Sequence, residues 1–204
     1  MANGAFLTAL FAIFASSGVN SSAPRYNPCM RPPQNLRVRQ ADAHDAERLA
    51  RLINEAFRSE RFFSDEDRTS PAGVRDYMQK GTFLVIEEET NLAGCVYLEP
   101  RSGRFYLGLL SVEPSRQGAG LGSYLMQLAE GHCRAAGARG IDLRIVNVRT
   151  ELPAFYQRFG YAKSGTAPFP PDAKTSMPCH FVIMSKEFAG EKNAPSAPAA
   201  QSRI

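Results

Sequence analysis

One stretch, Gln117-Gly118-Ala119-Gly120-Leu121-Gly122-Ser123, limits what this chain can fold into more than any other. Ahead of it runs an apolar segment, Phe105 to Val112, closed by Glu113-Pro114. Behind it Leu121, Tyr124, Leu125, Leu128, Ala129 and Cys133 recur at three- and four-residue steps, the spacing of a helix with one apolar face. A strand, a glycine turn and a helix in that order build an anion site. The glycines remove Cβ atoms, so that backbone N–H groups can crowd around a phosphate, and the helix start adds its partial positive charge. The loop therefore reads as the cradle of a pyrophosphate, against the plainer reading of a turn that only reverses the chain.

Three phosphate loops compete for this stretch. A Walker loop needs Gly-Lys-Ser/Thr, and no lysine is present here. In a dinucleotide fingerprint, Gly118 and Gly120 match but Ser123 holds the third glycine's place. Asp142 lies at about the right distance for a ribose-binding acid, yet it alternates inside the run Ile141-Asp142-Leu143-Arg144-Ile145, in mid-strand. The third match is better. Gln-x-x-Gly-x-Gly, met as Gln117, Gly120 and Gly122 after a strand ending Val-Glu-Pro, resembles the acetyl-CoA loop of the GNAT superfamily of N-acetyltransferases. A second segment, Glu151 to Tyr161, is similar to that family's other signature, a short helix carrying Phe-Tyr and closed by Gly-Tyr. The resemblance extends over residues 35–188.

The rest of the chain bounds the reading. At 204 residues with 44% hydrophobic content, one domain with one sizeable core is expected. The formal charge of +4 arises from residues 1–41, which hold four arginines and no acid, so residues 42–204 are balanced. No basic stripe interleaved with aromatics points to nucleic acid. Cys29, Cys95, Cys133 and Cys179 are scattered without Cys-x-x-Cys spacing, indicating neither a zinc site nor a disulfide framework. Reduced thiols and a cytoplasmic location follow as expectations. The apolar run Ala5 to Ala15 is too short to span a bilayer, which needs about 18 residues or more. It has signal-peptide length but no preceding basic residue. Residues 1–34 are expected to be a disordered or targeting extension, or an over-long start with Met30 as initiator. Residues 189–204 read as a disordered Ala/Pro/Ser tail.

Periodicity predicts a strand over 35–41, then a helix capped by Asp42 with Ala46, Leu49, Ala50, Leu52, Ile53, Ala56 and Phe57 on its apolar face. A polar loop, Arg61 to Ser70, precedes a second helix starting at Pro71. A hairpin over 82–88 and 91–99 leads to the central strand. The long helix ends at Gly137, a strand spans 140–146, a short helix spans 151–159, and two strands span 161–166 and 180–188. This order is α/β with only one parallel crossover, which excludes a doubly wound dinucleotide fold. It is the order of a GNAT-like mixed, mostly antiparallel sheet with helices on both faces.

The resemblance implies transfer of an acetyl group from acetyl-CoA, as co-substrate, to an amine of a small molecule or peptide. The N–H groups of Gln117, Gly118, Ala119, Gly120, Leu121, Gly122 and Ser123 would hold the diphosphate, and the backbone of Leu110, Ser111 and Val112 would hold the pantetheine arm. An amide at Leu110 or Val112 would serve the oxyanion. Tyr156 occupies the position of the family's general acid, against the plainer reading of an aromatic that packs the short helix beside Phe155 and Phe159. Glu99 is one candidate base; Glu113 and the acidic group Asp65-Glu66-Asp67, which could draw a cationic amine, are others. Where many members carry an asparagine seven residues before the tyrosine, this chain has Arg149; Asn147 could substitute, and Phe155 would line the cofactor. His180 would line the substrate pocket or simply pack. No metal is expected, and a homodimer is possible. The alternative reading is an acyl-CoA-binding sensor without turnover.

Overall fold

The structure is a computed structural model and describes residues 36–188. The expected extension and tail lie outside the described residues. Strand β1 (Leu36–Gln40) leads through a 3-10 turn (Ala43–Asp45) into α1 (Ala46–Ala56), a second 3-10 turn (Phe57–Glu60) and α2 (Pro71–Lys80). Then come β2 (Thr82–Glu88), β3 (Asn91–Arg101), β4 (Arg104–Val112), α3 (Leu121–Ala135), β5 (Gly140–Val146), α4 (Leu152–Gln157), β6 (Ala162–Pro168) and β7 (His180–Glu187). The caps are those that backbone chemistry requires. Asp42 and Asp45 form a reciprocal capping box at the first turn. The Ser70 hydroxyl accepts from the Gly73 amide, with Pro71 pre-set in the first turn of α2. Beyond α3, Gly137 takes φ +72, the left-handed conformation that closes a helix.

The strands form one seven-stranded sheet in the order β1-β2-β3-β4-β5-β7-β6. Every neighbouring pair is antiparallel except β4 with β5. Alternation along β2 assigns the two faces. Phe83 and Val85 join Leu49, Ile53 and Val74 in the core under α1 and α2, while Leu84 and Ile86 join Leu125, Met126 and Ala129 in the core under α3. Burying a side chain of this size stabilises by roughly 1.5–3 kcal/mol, so a one-residue slip of β2 would forfeit both cores at once.

β4 breaks this alternation. Tyr97 of β3 pairs with Gly108 and Cys95 with Ser111, so two steps on β3 oppose three on β4. The extra residue is a β-bulge, marked by Leu109 at φ +48, a left-handed conformation uncommon for a bulky side chain. Its effect is to change sides: Leu107 packs in the core under α3, whereas Leu109, two residues on, packs in the core under α1. The Leu109 carbonyl, turned inward, accepts from the buried Ser111 hydroxyl at 3.1 Å and faces the Cys95 thiol at 3.7 Å.

Candidate active site

Past the bulge the sheet opens. β4 and β5 are paired only at Phe105 with Ile141, Tyr106 with Asp142 and Leu107 with Leu143. Beyond Leu107 the two strands diverge, and a cleft of about 650 Å³ lies between them. Its walls come from the second half of β4, the glycine loop with the start of α3, the end of β5, and α4. Two parallel strands tied at one end only present an edge of unpaired backbone groups, which buried sheets ordinarily avoid.

The glycine loop caps this opening. Gly118 and Gly120 adopt φ +79 and +86, and a Cβ at either would meet nothing in the protein within 4 Å. Among the described residues, no carbonyl meets the amides of Gly118 to Ser123 at hydrogen-bonding geometry; the first helical closure is from the Tyr124 amide to Gly120. The orphan donors of a fifteen-residue helix, joined to those of the preceding turn, thus converge on open space. The run begins one residue later than the sequence predicts. Gln117 spends its backbone N–H on Pro114 (3.3 Å) and its side-chain amide on the Val112 carbonyl (3.1 Å), so it braces the loop against β4. Arg116, which the sequence reading passed over, lines the same cleft. It bonds Glu88 at 2.8 Å while its buried Nε has no partner. An orphaned guanidinium nitrogen beside a ring of free amides fits a phosphate-bearing ligand.

Tyr156 stands in the cleft wall on α4, 7% exposed, beside Phe155 and Tyr161. Burial raises its pKa well above the ordinary tyrosine value, so its hydroxyl keeps its proton at neutral pH. Gly118, Gly120, Leu121, Gly122 and Ser123 line the cleft, as do Leu110, Val112 and Phe155. Other expected residues stand elsewhere. The Ser111 side chain is turned into the protein to hold Leu109, and Ala119 lies on the exposed outside of the loop. Asn147 bridges strand ends: its side chain accepts from the His180 amide at 2.8 Å and its own amide donates to the His180 carbonyl. His180 is exposed and lines neither the cleft nor its neighbour. Asp142 is held by Arg104 through two bonds of 2.7 and 2.8 Å, leaving no ribose partner on β5.

Glu99 is occupied as well. It accepts from Tyr97 at 3.1 Å and from Arg101 at 2.7 Å. Burial works to raise its pKa, but the Arg101 guanidinium outweighs it and the net shift is downward. The acid that does reach the cleft is Glu60, at the end of the turn after α1. Its carboxylate pairs with Arg149 at 2.9 Å, and Arg149 also holds Glu151 at 2.6 Å. Arg149 therefore neither points to solvent nor stands free for a phosphate; it fastens the start of α4 to the loop after α1. Burial raises the Glu60 pKa even against the charges of Arg68 and Arg149.

A second cavity of about 840 Å³ adjoins the first. It lies between the α1–α2 loop, α2 and the β6–β7 loop. Glu66 and Asp67 of the expected acidic group line it, and Asp65 does not. Ser176 stitches its two loops together: its amide donates to the Phe63 carbonyl at 2.9 Å and its hydroxyl to the Phe62 carbonyl at 3.1 Å. Among the described residues no cluster of His, Cys, Asp and Glu could hold a metal ion. No helix there is long and apolar enough to cross a membrane.

Solved structures share this architecture. Ard1 from Thermoplasma volcanium superposes with a TM-score of 0.63 at 19% identity, covering 76% of this chain and 99% of that one. The ribosomal-protein-S18-alanine N-acetyltransferase of Escherichia coli gives 0.61 at 14% identity, covering 76% and 97%. A GNAT-family acetyltransferase from Streptococcus pneumoniae gives 0.60 at 19%, covering 76% and 99%. A comparison with curated protein sequences finds no match. The fold is thus that of the N-acetyltransferases. Residues 79–163, which contain β2 to β5, the glycine loop, α3 and α4, match the family model described as an acetyltransferase (GNAT) domain. Over those residues the chain is similar to the GNAT acetyltransferases.

Proposed function

We propose that this protein transfers the acetyl group of acetyl-CoA to an amine of a small molecule or peptide, by direct attack with both substrates bound. The observation that carries the reading is the run of partnerless amides from Gly118 to Ser123 at the end of an opened sheet. Acetyl-CoA supplies an activated thioester, so the chain's own task is to hold two reactants in contact and to manage protons. The amides and Arg116 hold the diphosphate, and the free edge of β4 at Leu110 to Val112 holds the arm. An amide of Leu110 or Val112 stabilises the charge that develops on the acyl oxygen.

Tyr156, kept neutral by burial, donates a proton to the departing sulfur. Glu60 accepts one from the acceptor's ammonium, freeing the neutral amine to attack, and replaces Glu99 in that part, because Glu99 is tied to Tyr97 and Arg101 outside the cleft. Calorimetry with acetyl-CoA, followed by thiol release across a panel of amines, tests the reading. Acetyl-CoA binding with amine-dependent release supports it. Binding with no release for any amine favours the sensor, and no binding removes both.

A further inference from the structure

The cleft and the second cavity meet at a shared wall formed by Phe57, Glu60, Arg68, Tyr106, Arg144 and Phe181. An acceptor entering through the second cavity must present its amine there, beside Tyr156. The charges of that wall are unequal. Its acid, Glu60, is already engaged by Arg149. Its cations form no ion pair: among the described residues no carboxylate stands within ion-pair distance of Arg68 or Arg144, although the charge of Arg68 is felt at Glu60. Arg68 lays its guanidinium over the Phe57 ring at 5.2 Å from the centroid, a contact that uses the face and leaves the edge donors unengaged. Arg144 stands on β5 opposite Ile183 and is exposed, between buried Leu143 and Ile145.

A guanidinium presents its N–H groups in a planar fork that matches a carboxylate two bonds at a time. Two such forks, neither of them ion-paired, at the junction where the acceptor's amine must lie, favour an acceptor that brings an anion of its own beside its amine. We propose that the acceptor is an amino-acid-like molecule, with its carboxylate held by Arg68 and Arg144 and the neighbouring amine set against Glu60 and Tyr156. This rests on the first cavity being the acetyl-CoA cleft. In the reaction the amine nitrogen bonds to the acyl carbon as the carbon–sulfur bond breaks. The proton lost from nitrogen is balanced by the proton gained by sulfur, and the products are an N-acetyl amino acid and free coenzyme A.

The test compares common L-amino acids with their own α-amides and with spermidine, by thiol release from acetyl-CoA. An amino acid should exceed its amide by about tenfold or more in kcat/KM, because the amide leaves the two forks unpaired. Arg144→Gln and Arg68→Gln should each bring that ratio toward one, and Arg144→Lys should retain part of it. Amides or spermidine used as well as the acids overturn the proposal, as does an unchanged ratio in both variants with unchanged melting temperature. Should the glutamine variants not fold, the wild-type ratio alone decides. If no amine is turned over, calorimetry of the amino acids against coenzyme A-saturated protein decides. Binding weakened at least tenfold for the amide supports the proposal, and no binding overturns it. Absence of acetyl-CoA binding is a separate result, which removes the underlying cleft as well.

Discussion

Tyr156 and Glu60 owe their chemistry to one cause, removal from water. Burial makes the charged form of each harder to reach, so the phenol holds its proton more firmly and the carboxyl holds one at a higher pH than usual. Tyr156→Phe keeps the packing against Phe155 and Tyr161 but removes the proton, and should lower kcat by about 100-fold with acetyl-CoA affinity nearly intact; steady-state kinetics beside calorimetry checks it. Glu60→Gln bears on pH. With its pKa raised by burial, Glu60 reaches its proton-accepting form at a higher pH than an ordinary glutamate. The wild-type kcat/KM profile should therefore fall on the acid side, at a higher pH than an ordinary glutamate would give. The glutamine variant should lose that limb together with at least about tenfold of its rate at neutral pH.

The glycine loop and the β4 bulge are the elements that convert a sheet into a site. Valine at Gly120 must adopt φ +86, which disfavours a β-branched residue by roughly 1–3 kcal/mol. Its side chain would also enter the space that the amides face. Gly120→Val should lower both melting temperature and acetyl-CoA affinity, the latter by more than tenfold in calorimetry. The strands and helices were legible because their signals are local. Asp42, Ser70, Gly137 and the alternation of β2 each act on neighbours in sequence. The opening of the sheet was not legible, because it depends on where β4 and β5 part beyond Leu107, which no local signal carries. Glu60 and Arg116 were not legible. Glu60 acquires its burial and its partner from Arg149, 89 residues away in sequence, and Arg116 is defined by a bond its Nε does not make. Glu99 and Asn147 were misplaced for the converse reason: a polar residue near a strand end is as readily satisfied by a neighbouring strand as offered to a ligand.

At the scale of the molecule, the sheet is secured far from the site by a charge network that joins three elements. Arg39 of β1 binds both Asp45, before α1, and Glu87 of β2 at 2.6 Å, and Arg48 of α1 reaches the same two acids. The bond from Arg39 brings the Asp45 pKa from its ordinary 3.8 down to about 2. A carboxylate whose folded pKa is lowered stabilises the fold above its unfolded pKa and loses that contribution as pH falls toward the folded value. Stability should therefore decline by roughly 2 kcal/mol between those two values of pH in denaturant titrations. Asp45→Asn should abolish that part of the decline and lower stability at neutral pH, with acetyl-CoA affinity preserved.

The seam at Ser176 bears on how specificity in this molecule can be changed. Because one residue of the β6–β7 loop clasps two consecutive carbonyls of the α1–α2 loop, the roof over the second cavity behaves as a single arch with two feet. Transplanting either foot alone from another enzyme should leave the arch unclosed and the protein sluggish toward every amine. A graft that carries both should impose the donor's preference.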